Sequence, residues 1–263
     1  MKKFLSYTLL LAAGMIMFIS CKKQADIVAA FGTTEDQAFV RVIHASPSFR
    51  QVFNAPDSFN IFVNNVKVNG PLITYAGLFP ASNSTAFGYI AVPQGLVNVK
   101  LTVAGTVNTD SIPLTLFSKI FTKGQYYSII VTDNFKSTTD SSKIILQDNY
   151  TKPSNGNYSI RFVHAVLNDT AGLAIDVFSA RRNANIFNAI KPGQIVNFQT
   201  FPYNSQVSDT FYVRRAGTLQ NLAATTATPG FPGNQRVYTF IYRGNGDLTT
   251  GTKARVLAPY LHQ

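Results

Sequence analysis

The chain has 263 residues, 46% hydrophobic and 13% charged, with 23 Lys+Arg against 12 Asp+Glu. Its basic residues are scattered, with Arg181-Arg182 and Arg214-Arg215 the only arginine pairs, so the basic stripe of a nucleic-acid binder is missing. Cys21 is the only cysteine, which excludes an internal disulfide.

The N-terminus, MKKFLSYTLLLAAGMIMFISCKK, begins with Lys2 and Lys3 and continues as an apolar stretch from Phe4 to Ile19. The stretch is short and interrupted for a membrane span, which needs about 20 apolar residues. It fits a cleaved secretory segment covering residues 1–20. Ser20 before Cys21 has the pattern of a bacterial lipobox, with Phe18 where leucine is usual. In that reading Cys21 is lipidated, becomes the mature first residue, and anchors through its acyl chains. An ordinary signal end or a buried thiol is the competing reading. Loss of Lys2 and Lys3 leaves 21 basic residues against 12 acidic, or +9 before the termini. Such a charge gives a mild attraction to anionic lipid or glycan surfaces. Lys22 and Lys23 show no acidic export signal. The expected location is therefore the outer membrane, facing the periplasm, with surface display as the alternative.

Residues 21–37 read as the lipidated cysteine and its tether. Beyond them the chain repeats itself. "VRVIHA" (Val40 to Ala45) returns as "IRFVHA" (Ile160 to Ala165), and "FNIF" (Phe59 to Phe62) as "IDVF" (Ile175 to Phe178). "YSIIV" (Tyr127 to Val131) returns as "YTFIY" (Tyr238 to Tyr242), and "SSKIILQDNY" (Ser141 to Tyr150) as "GTKARVLAPY" (Gly251 to Tyr260). Four blocks in one order indicate a tandem duplication of domain size. The expected units are 38–150 and 158–263, joined by the polar linker 151–157.

Apolar, β-branched and aromatic runs separated by Gly, Asn, Asp and Pro place strands near 38–45, 59–64, 85–92, 97–104, 111–116, 125–132 and 143–147. In the second copy they fall near 158–165, 173–179, 195–201, 209–215, 219–224, 236–242 and 254–257. No helical period with caps stands out. The fold class is all-β: two tandem immunoglobulin-like β-sandwich domains of about seven strands each. Tyr127 and Tyr238, near the start of each sixth strand, resemble a tyrosine corner; the plainer reading is that tyrosine is common in strands.

VRVIHASP, FNIFVNN, VPQGLVNVKLTVAG and KGQYYSIIVTD together resemble the 4397 family of domains of unknown function. Asn60 departs from the family's usual Asp, which Asp176 keeps. The second copy has Val166-Leu167 for Ser-Pro and Phe201-Pro202-Tyr203-Asn204 for the Val-Pro-x-Gly turn. The resemblance implies a secreted or lipid-anchored β-sandwich, often in Bacteroidetes-type bacteria, and no assigned activity.

A nucleophilic triad needs a hydroxyl, a histidine and an orienting acid. Copy one has His44 and Ser46 but Asn60 at the acid position; copy two has His164 and Asp176 but no serine. Three converging ligands for a metal are also missing, so neither enzyme chemistry nor a cofactor is expected. Strand parity sets His44 with Val40 and Val42, His164 with Ile160 and Phe162, and Arg41 and Arg161 on the opposite face with Ile43 and Val163. Apolar content is close on the two faces. His44 and His164 read as structural, capping the sandwich and donating a ring N–H to a loop carbonyl or to the Asn60 or Asp176 position. The chain is then a non-catalytic envelope module that holds an unknown protein. The alternative is a glycan-binding lipoprotein of a carbohydrate uptake system, served by exposed aromatics such as Tyr126, Phe135 and Tyr203. Asp110-Ser111-Ile112 and Asp169-Thr170-Ala171 resemble a short bacterial O-glycosylation motif; two ordinary turns is the plainer reading.

Overall fold

The computed structural model describes residues 36–81, 88–103, 105, 113–137, 143–169, 174–225 and 229–262. The first half contributes β1 (Gln37–His44), helix α1 (Phe49–Phe53), β2 (Ser58–Val63), β3 (Val66–Lys67), β4 (Ile73–Thr74) and β5 (Leu78–Phe79). It continues with β6 (Ile90–Pro93), β7 (Gly95–Thr102), β8 (Thr115–Phe121), β9 (Tyr126–Val131) and β10 (Ile144–Gln147). The second half contributes β11 (Asn157–His164), β12 (Ile175–Ser179), β13 (Ala184–Ile190) and β14 (Ile195–Pro202). It ends with β15 (Phe211–Arg215), β16 (Asn221–Ala224), β17 (Val237–Arg243) and β18 (Val256–Leu261).

The chain is all-β, with four sheets in two sandwiches, as the strand pattern predicts. One sheet runs β10-β9-β1, with β5 and β6 both on the far edge of β1; its partner runs β3-β2-β7-β8, with β4 also on β2. The second half repeats this as β14-β11-β17-β18 and β13-β12-β15-β16. The first strand of each copy lies inside its sheet and pairs in parallel with the penultimate one, Val42 with Ile129 and Phe162 with Phe240.

Local chemistry accounts for several turns. Asn64 and Asn65, at φ of 46° and 66°, close the two-residue hairpin between β2 and β3, a conformation Asn tolerates. Gly95, at φ of 87°, ends the Val92-Pro93-Gln94-Gly95 turn that carries the chain between sheets. Copy two departs at this point: β14 runs on to Pro202, and residues 203–210 replace the tight turn before β15. The sequence reading omits α1, β3, β4, β5 and β13. All but β13 are five residues or fewer, too short to show a period.

Three apolar clusters order the layers. Val40, Val42, Phe59, Ile61, Val99 and Ile129 fill the first sandwich, while Ile160, Phe162, Val177, Val213 and Phe240 fill the second. A third cluster joins Ile43, Ala45, Ile130 and Ile144 to Val163, Ala165 and Ile241. The β1 sheet and the β11 sheet therefore pack against each other, and four sheets are stacked. This explains the near-equal apolar content on both faces of β1 and β11. One face looks into its own sandwich and the other into the joint between sandwiches, so almost every residue of both strands is buried.

Candidate functional site

The joint between the sandwiches holds the densest set of buried polar groups among the described residues. Parallel pairing sets Arg41 beside Ser128 and Arg161 beside Thr239. Each arginine uses that neighbour in the same way. Arg41 Nε donates to Ser128 Oγ at 2.7 Å, and Arg161 Nε to Thr239 Oγ1 at 3.1 Å. Each also lies over an aromatic ring, Tyr89 at 5.1 Å for Arg41 and Phe198 at 4.7 Å for Arg161. Each reaches the last strand of the other copy: Arg41 Nη1 donates to Leu261 O at 3.0 Å, and Arg161 Nη1 to Gln147 O at 3.1 Å.

The next residues break the symmetry. Gln147 stands opposite Tyr127 and Leu261 opposite Tyr238, so Asp148 and His262 occupy corresponding positions. Arg161 Nη2 donates to Asp148 Oδ1, and Arg41 Nε lies 4.0 Å from Asp148 Oδ2. Arg41 Nη2 lies 2.9 Å from His262 Nε2. Thr239 Oγ1 already accepts from Arg161, so its own proton goes to His262 Nε2 at 2.6 Å. Tyr89 and Ser128 donate to Asp148 Oδ2 at 2.8 Å and 2.6 Å. The ring proton of His262 then sits on Nδ1 and faces Tyr89 Oη at 3.0 Å. Burial, then Arg41 and Arg161 beside it, hold His262 well below the usual imidazole range. Sequence reasoning singled out His44 and His164 and not His262. The signal was present in the repeat: an arginine and a hydroxyl recur at matched positions, both off the core face.

His44 and His164 are fully buried at the ends of β1 and β11. His44 packs among Phe49, Phe59 and Tyr75, and His164 against Tyr242, with ring centroids 4.9–5.9 Å apart. Neither meets the partner expected for it. Asn60 and Asp176 point away from the core, because their neighbours on β2 and β12 face it. His44 Nδ1 accepts the Ser46 N–H at 3.3 Å instead of donating to a loop carbonyl. Desolvation lowers both histidines to about 4. Ser46 Oγ donates to Asp133, whose carboxylate also takes the Ser48 N–H at 3.1 Å. The hydroxyl is thus bound to an acid and not to the imidazole. The arrangement ties the His-Ala-Ser-Pro stretch to the 3-10 turn at Asp133–Lys136.

Asn60 donates to Val103 O at 3.1 Å and joins Asn69. Asp176 accepts from Ala189 N–H, Gly217 N–H and Asn185 Nδ2 at 2.8–3.1 Å. It floors a shallow cavity of about 370 Å³ that also holds Phe178, Asn183, Asn185, Arg214 and Thr218. Arg214 lies 3.5 Å above the Phe178 ring.

Tyr127 Oη accepts the Thr122 N–H at 3.1 Å, and Tyr238 Oη the Gly233 N–H at 3.0 Å, each five residues back. Tyr238→Phe is expected to lower stability by about 1 kcal/mol, the net value of one such bond. Urea unfolding reads this; an unchanged midpoint would show that the bond contributes nothing.

The expected aromatic cluster does not form. Phe135 is fully buried in the first core, Tyr126 stacks on Phe39 at 4.8 Å, and Tyr203 packs on the second core. Asp169 is buried, accepting from Tyr242 and Arg255. Thr170-Ala171, Asp110-Ser111-Ile112 and Cys21 lie outside the described residues. Among those described, no helix is long and apolar enough to cross a membrane.

No curated protein matches the chain. Among solved structures, the Bacillus anthracis TIE protein aligns over 80% of this chain and 34% of its own, with 10% identity and a TM-score of 0.22. The chain thus spans about a third of that protein. A Bacteroides thetaiotaomicron protein of the DUF1812 family, named as a candidate polysaccharide-binding protein, aligns over 86% of this chain and 98% of its own. Its identity is 8% and its TM-score 0.23. The family model of DUF4397, a domain of unknown function, matches residues 38–171, just over half of the sequence, and the chain belongs to that family.

Proposed function

We propose that the chain is a non-catalytic, lipid-anchored envelope protein that holds a protein partner, with its two sandwiches working as one rigid body. The observation that carries this reading is the joint between the sandwiches. Arg41, Arg161, Asp148 and His262 spend their polar groups on one another there, inside an apolar seam. Such a joint fixes the angle between the sandwiches and leaves their outer sheets and loops as presenting surfaces. The Ser46 hydroxyl is likewise engaged by Asp133, and His44 and His164 are packed among aromatic rings. Cys21 carries the lipid in this reading, and the protein faces the periplasm from the outer membrane.

Metabolic palmitate labelling is expected in the native chain and absent in Cys21→Ala. Undiminished labelling of the variant would overturn the anchor. A second reading, glycan binding, is favoured by the cavity beside Asp176, where an aromatic ring, two amides and a hydroxyl converge. A glycan array separates the two. Binding that disappears in Arg214→Ala would establish the glycan reading and displace the first.

A further inference from the structure

Strand directions gather several features at one end of the molecule. β1 and β11 both begin there: Tyr150 and His262, each just past the last strand of its copy, meet at this end by a 3.3 Å hydrogen bond, while Lys253 and Asp57 pair at the other. Asp36, the first described residue, is at this end. Its carbonyl accepts the Gln94 N–H at 3.2 Å, in the turn between β6 and β7, and its carboxylate meets Lys123 Nζ at 3.1 Å, between β8 and β9. The part of the chain that carries Cys21 therefore joins here. Only 36 − 21 = 15 residue steps separate the two, a reach of at most roughly 50 Å.

The same end is apolar and basic. Leu96 and Ile120 are direct cross-strand partners, 69% and 66% exposed on the outer sheet beside the β6–β7 turn. Lys123, Lys152 and Arg236 surround this end from both copies, all exposed. Asp36 is the one exposed carboxylate here among the described residues; Asp148 and Asp209 are buried. Asp57, Asp133, Asp169 and Asp247 fall at the opposite end, where β1, β9, β11 and β17 finish and β2 starts.

We infer that this end is a docking surface for anionic phospholipid, an inference that deepens the lipid-anchored reading. The Leu96–Ile120 pair enters the headgroup layer, and the cations face lipid phosphates. A tether this short keeps the surface at high local concentration, so a contact weak in isolation still orients the protein. A second copy of the chain fits this end poorly, because it would set Lys123, Lys152 and Arg236 against the same cations.

The test uses the unlipidated chain from residue 22, mixed with vesicles of phosphatidylcholine alone or with added phosphatidylglycerol. Co-sedimentation is expected with the anionic vesicles, little with the neutral ones, and loss of binding at high salt. Lys152→Glu with Arg236→Glu is expected to cut binding at least about tenfold. Leu96→Ser with Ile120→Ser is expected to weaken it several-fold. Arg50→Glu, on α1 at the far end, is expected to leave it unchanged. Equal loss in Arg50→Glu, equal binding to both vesicle types, or no binding to either overturns the inference. Vesicle binding by a chain whose native form takes no palmitate would remove the anchor and leave the surface standing.

Discussion

Asp148→Ala is expected to lower the unfolding free energy by about 3–5 kcal/mol, the range for removing one partner of a buried ion pair. The carboxylate is the acceptor for Arg161, Tyr89 and Ser128 at once, and the nearest negative charge to Arg41. Without it two buried guanidiniums remain with no counter-charge, and two hydroxyls lose their acceptor. Asp148→Asn keeps an acceptor oxygen but not the charge, so most of the loss should persist. Urea unfolding of the chain from residue 22 measures both variants. A loss below about 1 kcal/mol, the value of an exposed pair, would show that water reaches the joint and that the sandwiches are not held as one body.

The second large effect is expected from acid. His44 and His164 have folded values of about 4 against 6.5 when exposed in the unfolded chain. Between those limits the unfolded state binds more protons, so stability falls as pH falls. At 1.36 kcal/mol per pKa unit, each histidine removes about 3 kcal/mol between pH 7 and pH 4. The pair together is comparable with the whole stability of an ordinary domain, about 5–15 kcal/mol. His262, lowered by burial and by both arginines, acts in the same direction. Its protonation would set a proton on Nε2 against those of Thr239 and Arg41. Unfolding midpoints across this window should decline steeply in the native chain and less steeply in His44→Leu and His164→Leu. Identical slopes in all three chains would mean that these histidines take up no extra protons on unfolding.

Much of the fold was legible because strand patterns need only local alternation and turn residues. Val40, Val42, Ile160 and Phe162 face their cores as parity requires, and the longer strands were located except β13, with β8 and β18 expected several residues too early, each meeting its expected span in two residues only. Parity names two faces but cannot say what covers each. Arg41 and Arg161 therefore read as the outer face of a lone sandwich, when a second sandwich lies on them. The same blindness paired His44 with Asn60 and His164 with Asp176, residues on strands whose polar positions point outward. Similarity in the last block set Tyr150 on Tyr260. The ladder instead puts Asp148 on His262, a displacement of four residues, because the chain takes 17 steps from Ile241 to its partner Ala258 against 14 from Ile130 to Ile144. That slip concealed the candidate site: its acid and its histidine are counterparts in the duplication, visible only once the register is known.

The Asp148–His262 correspondence has a consequence for how such a joint can change. In a dimer of identical subunits every residue near the axis appears twice, and a change that suits one side is imposed on the other. Two aspartates would then face two arginines, or two histidines would leave both arginines without a counter-charge. Joining the copies in one chain removes that constraint. One side carries the charge and the other a neutral ring that is linked to it by hydrogen bonds through Tyr89. The halves can specialise separately because the linker, and not symmetry, keeps them together.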